Sequence, residues 1–163
     1  MADVVIMVKI LVVYESKYGN TKRVAETIIE DLGEARGFEV SLREVKEVDL
    51  KVVPQYDVLL IGSPNHIGKP TRGIRDFIDK LNGLQLNGKL FAVFDTYLGG
   101  DFKKAMGKME KQISEKAPKM KRLLPGLSIK VQGMKGPVAE GELLKCREFG
   151  NEISVKLKSS GWW

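Results

Sequence analysis

The stretch YESKYGNTKRVAE, residues 14–26, lies between an apolar run and a helical spacing of apolar residues. The run ahead of it, Val8–Tyr14 (VKILVVY), is almost continuously apolar, the pattern of a strand buried on both faces. Behind it Val24, Ile28 and Leu32 recur at helical spacing until Gly33 and Gly37, so a helix is expected over residues 20–36. The junction itself gathers Ser16, Gly19, Asn20 and Thr21 into one turn. A helix N-terminus offers an anion unpaired N–H groups and the positive end of the dipole. One Ser, Thr, Asp or Asn is enough for an ordinary helix cap. This turn has several donors where a cap needs one, which favours a phosphate carrying about 1.5 to 2 negative charges. Lys17, Lys22 and Arg23 lie nearby, with stems long enough to reach solvent.

Outward from that junction the chain alternates β-rich runs with helical periods. Residues 38–45 alternate Phe38, Val40 and Leu42 as a second strand, and residues 46–55, containing Pro54, read as a broken helix or turn. Residues 57–62 (DVLLIG) form a third apolar strand. Ile74, Phe77, Ile78 and Leu81 then make an amphipathic helix that stops at Asn82 and Gly83. Residues 89–94 (KLFAVF) are a fourth strand, and Phe102, Ala105, Met106 and Met109 begin a helix running to about Ala117. Residues 127–131 are a fifth strand, and residues 140–158 close the chain as a helix carrying Leu143, Cys146, Phe149, Ile153 and Leu157. Residues 1–6 read as an extension of the first strand. The alternation predicts an α/β three-layer sandwich: a five-stranded parallel sheet with helices on both faces and right-handed crossovers, in one domain. Ligands in such sheets bind beyond the carboxyl ends of the strands, which singles out loops 15–21, 63–71 and 95–101.

Composition narrows the classes. With 43% hydrophobic and 29% charged residues over 163 positions, the chain is globular and not disordered. A single cysteine, Cys146, excludes an internal disulfide and suits a reducing, cytoplasmic compartment; on the apolar stripe of the last helix it reads as a buried, inert thiol. The longest apolar run, residues 4–13, is interrupted by Lys9 and is far short of the ~20 residues of a membrane span. No signal-peptide pattern accompanies it. No G-x-G-x-x-G follows the first strand, which argues against a dinucleotide site. GSPNHIGKP, residues 62–70, resembles a phosphate-binding P-loop but carries Pro70 where Ser or Thr would hold magnesium, which argues against nucleotide hydrolysis. No Cys or His cluster has metal spacing. Net charge is +6, concentrated in residues 103–122 at Lys103, Lys104, Lys108, Lys111, Lys116, Lys119, Lys121 and Arg122. That run is either a solvated helix face or a docking surface for an acidic partner. Nucleic acid is disfavoured, because no aromatic residues interleave the charges.

The first loop resembles the flavodoxin signature: two aliphatic residues, an aromatic, then Ser or Thr, a small residue, Thr, Ala and an aliphatic. Val12, Val13, Tyr14, Ser16, Gly19, Thr21, Ala25 and Ile28 stand at those positions. The remaining segments follow that family's order, and the length and a fifth strand with no long insertion look like the short-chain type. Residues 133–150 are similar to the family's usual approach to its last helix. The resemblance implies strand order 2-1-3-4-5 and a non-covalent FMN. Ser16, Lys17, Tyr18, Gly19, Asn20 and Thr21 would cradle the phosphate. Ser63, Pro64, Asn65, His66, Ile67 and Gly68 would lie on one side of the flavin ring. Asp95, Thr96, Tyr97, Leu98, Gly99 and Asp101 would lie on the other, although Asp95 and Asp101 also read as helix caps. The implied function is electron transfer between a reductase and an acceptor protein, with redox proteins as partners. An FMN-dependent oxidoreductase acting on a quinone or porphyrinogen is the alternative. An interaction module without FMN is a third class, disfavoured by the intact first loop.

Three positions depart from the electron carriers of that family. His66 stands where a ring-stacking Trp or Tyr is common. Ile67 follows where Gly would let a peptide flip cheaply. The third loop, DTYLGGD, offers Tyr97 as its only aromatic, and the chain is basic in a family that is usually acidic. Trp162 and Trp163 read as a subunit or surface contact or as a frayed end, and nothing in the sequence sets the oligomeric state.

Overall fold

The apolar run Val8–Tyr14 becomes β1, flanked on both sides by parallel partners. The structure, a computed structural model, describes residues 7–34 and 37–159. The expectations for residues 1–6, for the helix end at 35–36 and for Trp162 and Trp163 fall outside the described residues. After β1 come α1 (Asn20–Glu34), β2 (Phe38–Glu44) and two short 3-10 turns, Val45–Glu47 and Leu50–Gln55. Then follow β3 (Val58–Pro64), α2 (Arg72–Asp79), β4 (Leu90–Tyr97), α3 (Lys104–Lys116), β5 (Lys121–Arg122), β6 (Leu127–Lys130) and α4 (Glu142–Ser159). The strands are parallel, in the order β2-β1-β3-β4-β5, with β6 also paired to β4. The expected order 2-1-3-4-5 is therefore present.

Period-two alternation along β1 builds two cores. Ile10, Val12 and Tyr14 face Val24, Ile28 and Leu32 of α1 and Cys146, Phe149 and Ile153 of α4. Leu11 and Val13 face the opposite layer, with Ile74, Phe77 and Ile78 of α2 and Met106, Met109 and Ile113 of α3. Successive strand side chains point to opposite faces, so one apolar run can serve both layers. Burying each of these large side chains contributes roughly 1.5–3 kcal/mol.

Two local expectations are corrected. The fifth strand is divided: β5 pairs with Leu90 and Phe91 at one end of β4, and β6 pairs with residues 94–97 at the other. Between them lie Pro125, which has no N–H for a ladder, and Gly126, where a Cβ would meet the Met106 side chain. Phe102 does not join the apolar stripe of α3. It lies before the helix, about half exposed, with its ring 5.2 Å from that of Tyr97.

The contact of α1 with α4 depends on a missing side chain. A Cβ on Gly150 of α4 would collide with the backbone carbonyl of Ile28, which cannot give way as a flexible side chain would. Gly150→Ala is expected to destabilise the fold by about 1–3 kcal/mol. The check is a urea titration, in which the midpoint falls while the slope stays unchanged.

Candidate functional site

The carboxyl ends of β1, β3 and β4 open into a cleft of about 820 Å3, within the range of roughly 300–1,000 Å3 usual for small-molecule sites. The first loop forms its floor. Gly19 turns the chain at φ +91, and α1 starts at Asn20. The Ser16 hydroxyl oxygen accepts the N–H of Gly19 (3.1 Å) and of Lys22 (3.2 Å). Both acceptor lone pairs are thereby used, and the hydroxyl proton remains free to donate. The N–H groups of Asn20 and Thr21 make no hydrogen bond to any described residue, and both residues line the cleft. The buried Thr21 hydroxyl pairs with that of Thr96 at 3.0 Å, so one of the two keeps a proton to give.

The second loop is braced from below. The Ser63 hydroxyl donates to the Pro64 carbonyl and accepts the Thr71 N–H, each at 2.9 Å. The Asn65 N–H donates to the Thr96 carbonyl at 3.0 Å, joining the second loop to the third. In the third loop Tyr97 lines the cleft and leans on Phe102, a second aromatic.

Helix α3 has no cap of its own. Lys103, its N-cap residue, sits at φ +62 and gives no side-chain cap bond. The first four N–H groups are instead taken by residues outside the helix, three of them distant in sequence. Lys103 donates to the Ser128 hydroxyl at 2.9 Å and Lys104 to the Asp101 carbonyl at 3.0 Å. Ala105 donates to Asn65 Oδ1 at 2.9 Å and Met106 to Asp95 Oδ2 at 2.8 Å. Asp95 also accepts from Ser128 Oγ at 2.5 Å and Asn65 Nδ2 at 3.1 Å. Burial pushes its carboxyl above the ordinary value of 3.8, although these three donors pull the other way.

The cleft is lined by Ser16, Lys17, Tyr18, Asn20, Thr21, Pro64, Asn65, His66, Ile67, Thr96, Tyr97, Leu98 and Asp101. Gly19, Ser63, Gly68, Asp95 and Gly99 do not line it. Gly19 shapes the turn, Ser63 and Asp95 brace from beneath, and Gly68 is buried against Lys104 of α3. Glu15 and Thr71 lie in the loops singled out from the sequence without being named as site residues, while Glu44, Lys46, Arg72, Gly73, Val131 and Met134 were missed; together they complete the lining. Glu44 was legible only through the sheet order, since it lies in register beside Tyr14. Met134 follows β6 and carried no signal of its own. Cys146 is fully buried with its thiol pushed up to about 12 by that burial, an inert group away from the cleft.

The family model for flavodoxins matches residues 12–141. The chain belongs to the flavodoxin family. Proteins of this family bind FMN. A flavodoxin of Aquifex aeolicus is 33% identical over 93 residues, covering 55% of this chain and 50% of that protein. An NAD(P)H dehydrogenase (quinone) of Chromohalobacter salexigens is 30% identical over 117 residues, covering 59% of this chain and 56% of that protein. The matches thus span about half the length of these curated relatives. Among solved structures, a flavodoxin from the domain Archaea superposes with a TM-score of 0.77 at 25% identity, covering 92% of this chain and 99% of that one. Oxidised flavodoxin 2 of Bacillus cereus gives 0.76 at 29% identity, covering 91% and 99%.

In this flavodoxin-family chain Asp95 takes the Met106 N–H at the start of α3 and ties it to Ser128 and Asn65. Asp95→Ala is expected to destabilise the fold by about 3 kcal/mol or more, because each buried donor left unpaired costs about 1–3 kcal/mol. The sign of its pH dependence is also set. A carboxyl whose folded-state pKa is raised binds its proton more tightly in the folded state. Its contribution to stability is fullest below 3.8 and is lost as pH rises through the raised value. A carboxyl carbon NMR titration of Asp95 is expected to show its midpoint above 3.8.

Proposed function

We propose that this chain holds FMN in the cleft and carries electrons between a reductase and an acceptor protein. The observation that supports this most directly is the first loop. Its free N–H groups at Asn20 and Thr21 and its free Ser16 hydroxyl proton are aligned with the positive end of α1. Uncharged donors suit a phosphate there, because they hold a dianion without a competing ion pair. On this reading Pro64, Asn65, His66 and Ile67 border one side of the flavin ring, and Thr96, Tyr97 and Leu98 the other. Bound FMN supplies reversible one- and two-electron chemistry. The chain contributes orientation and exclusion of water: Tyr97 is backed by Phe102, and Asn65 ties the two walls together.

The open mouth favours a second reading, an FMN-dependent oxidoreductase reducing a quinone. Ile67 is 95% exposed and Met134 73% exposed at the rim, so a flat apolar acceptor has an apolar edge to meet. The 30% identity with an NAD(P)H dehydrogenase (quinone) fits this alternative. A reductive titration separates the two. A carrier holds a one-electron-reduced form, whereas the enzyme turns over NAD(P)H with quinone and passes through no such form. For either reading the purified protein is expected to take up FMN and show flavin absorption. Ser16→Ala combined with Thr21→Ala is expected to weaken FMN binding by about 1.5–3 kcal/mol per charge-assisted bond lost, read by fluorescence titration. Unchanged affinity would remove the phosphate from this loop.

The partner reading becomes more specific with the fold. Lys103, Lys104 and Lys108 stand at the cleft end of α3, whereas Lys121 and Arg122 pair with the start of β4 at the opposite end of the sheet. The docking face for an acidic redox partner is the former group, in a cytoplasmic setting that suits a lone reduced cysteine. Lys103→Glu with Lys104→Glu is expected to slow oxidation of the reduced protein by anionic hexacyanoferrate(III) several-fold at low salt. Lys119→Glu with Lys121→Glu is expected to leave the rate near that of the parent. Equal slowing by both pairs would mean that net charge alone acts.

A further inference from the structure

The second loop contains a turn whose conformation its own sequence opposes. The His66 N–H donates to the Lys69 carbonyl at 2.7 Å, and the Lys69 N–H returns to the His66 carbonyl at 3.1 Å. The two central residues both have positive φ, +54 at Ile67 and +71 at Gly68. A two-residue turn of this kind calls for Asn, Asp or Gly at both positions. Gly68 complies, but Ile67 is β-branched and belongs to the residues least suited to the left-handed region. Its side chain is 95% exposed, so no burial compensates for the strain. Strained backbone persists only where the surroundings over-determine it.

The surroundings here are α3. Lys108 Nζ donates to the Gly68 carbonyl at 2.7 Å, and a Cβ on Gly68 would meet Lys104 Cδ at 3.2 Å. Lys104 and Lys108 are one turn apart on the same helix face. Lys108 makes no ion pair with any described residue, so its ammonium is committed to that carbonyl. At the other flank of the turn, Asn65 Oδ1 accepts the Ala105 N–H of the same helix. The turn is thus pinned to α3 at residues 65 and 68, with Ile67 between the pins. The Gly68 carbonyl faces the helix, and Gly68 does not line the cleft, whereas His66 and Ile67 do.

We propose that Lys108 is a positioning residue of the cleft: its ammonium clamps the strained Ile67–Gly68 turn to α3 and presets the wall formed by His66 and Ile67. The clamp itself is a property of the free chain. Its effect on the cofactor rests on the FMN reading above. A wall ordered in advance spares the ligand that ordering, so releasing it weakens binding with no ligand contact removed. Without the clamp, the strain at Ile67 favours opening of the turn.

The test uses Lys108→Met, which keeps the stem and removes the donor, and Lys108→Arg, which keeps a donor. In the flavin-free protein, Lys108→Met is expected to speed amide exchange at Lys69 about tenfold, a local opening, while the Met109 and Ile113 amides of α3 stay as in the parent. Lys108→Arg is expected to restore most of the protection. In the FMN-loaded protein, Lys108→Met is expected to speed flavin release several-fold and to shift the midpoint potential, with Lys108→Arg reversing both. Ile67→Gly removes the strain, so Lys108→Met in that background is expected to lose most of its effect. Unchanged Lys69 exchange in Lys108→Met, or an effect equally large in the Ile67→Gly background, would overturn the clamp. Should the parent bind no FMN, the FMN reading falls, and the exchange measurements still decide the clamp.

Discussion

The first turn of α3 is completed by residues from elsewhere in the chain, and the upper end of the sheet is organised around that debt. Four N–H groups at a helix start need acceptors. Lys103, at a left-handed φ and without a cap bond, supplies none. Ser128 comes from β6, Asn65 from the loop beyond β3, Asp95 from within β4 and Asp101 from the approach to the helix itself. Losing Asn65 or Asp95 would leave the N–H of a buried residue, Ala105 or Met106, unpaired. The arrangement therefore fixes the second and third loops relative to each other before any ligand arrives. Its electrostatic cost is the burial of a carboxylate. Three short hydrogen bonds offset that cost only in part, as the raised Asp95 carboxyl indicates.

The helix starts of α1 and α3 differ in what they leave over. At α3 every early N–H is consumed internally. At α1 the Ser16 hydroxyl takes the N–H groups of Gly19 and Lys22 and leaves those of Asn20 and Thr21 free. Both helices present a positive dipole end to the same side of the sheet, yet only one has donors to spare. The cleft is consequently polarised. An anionic group is favoured at the α1 end, and the region between the second and third loops is left to neutral surfaces such as Pro64, Tyr97 and Leu98. Among the described residues no buried side-chain polar atom is left unpaired, so the unmet demand sits on the backbone of the first loop.

What the sequence conveyed depended on whether the signal was local. β1 and α1 were legible because their apolar spacing and the loop between them all lie within one contiguous stretch. The division of the fifth strand was not, since the register against β4 is a tertiary choice, although Pro125 and Gly126 stood in plain view. Phe102 matched helical spacing with Ala105, Met106 and Met109, and periodicity cannot tell a residue inside a helix from one just ahead of it. Phe102 precedes the helix and packs on the ring of Tyr97 instead. Asp95 read equally as cap and ligand contact, because its partners Asn65 and Ser128 come from 30 and 33 residues away. Glu44 and Lys46 line the cleft because β2 lies beside β1, a fact of sheet order and not of composition.

The basic stretch 103–122 illustrates the same limit for charge. Read along the chain it is one block, and a block invites one partner. In space α3 runs back along the sheet, antiparallel to β4, because a crossover helix must return the chain to the start of the next parallel strand. Its first lysines therefore stand beside the cleft and its last ones beside Leu90 and Phe91 at the far end. Both groups are partly neutralised: Lys104 reaches Asp101 at 3.2 Å in the near group, and in the far one Arg122 reaches Glu110 at 3.2 Å and Lys116 approaches Asp79 at 3.9 Å. Charges separated by the length of a 13-residue helix, ~1.5 Å per residue, stand apart by more than the ~8 Å over which physiological salt lets them act together. The potential beside the cleft is therefore set by the near group, chiefly Lys103, with Lys104 offset by Asp101, and little by the lysines beyond.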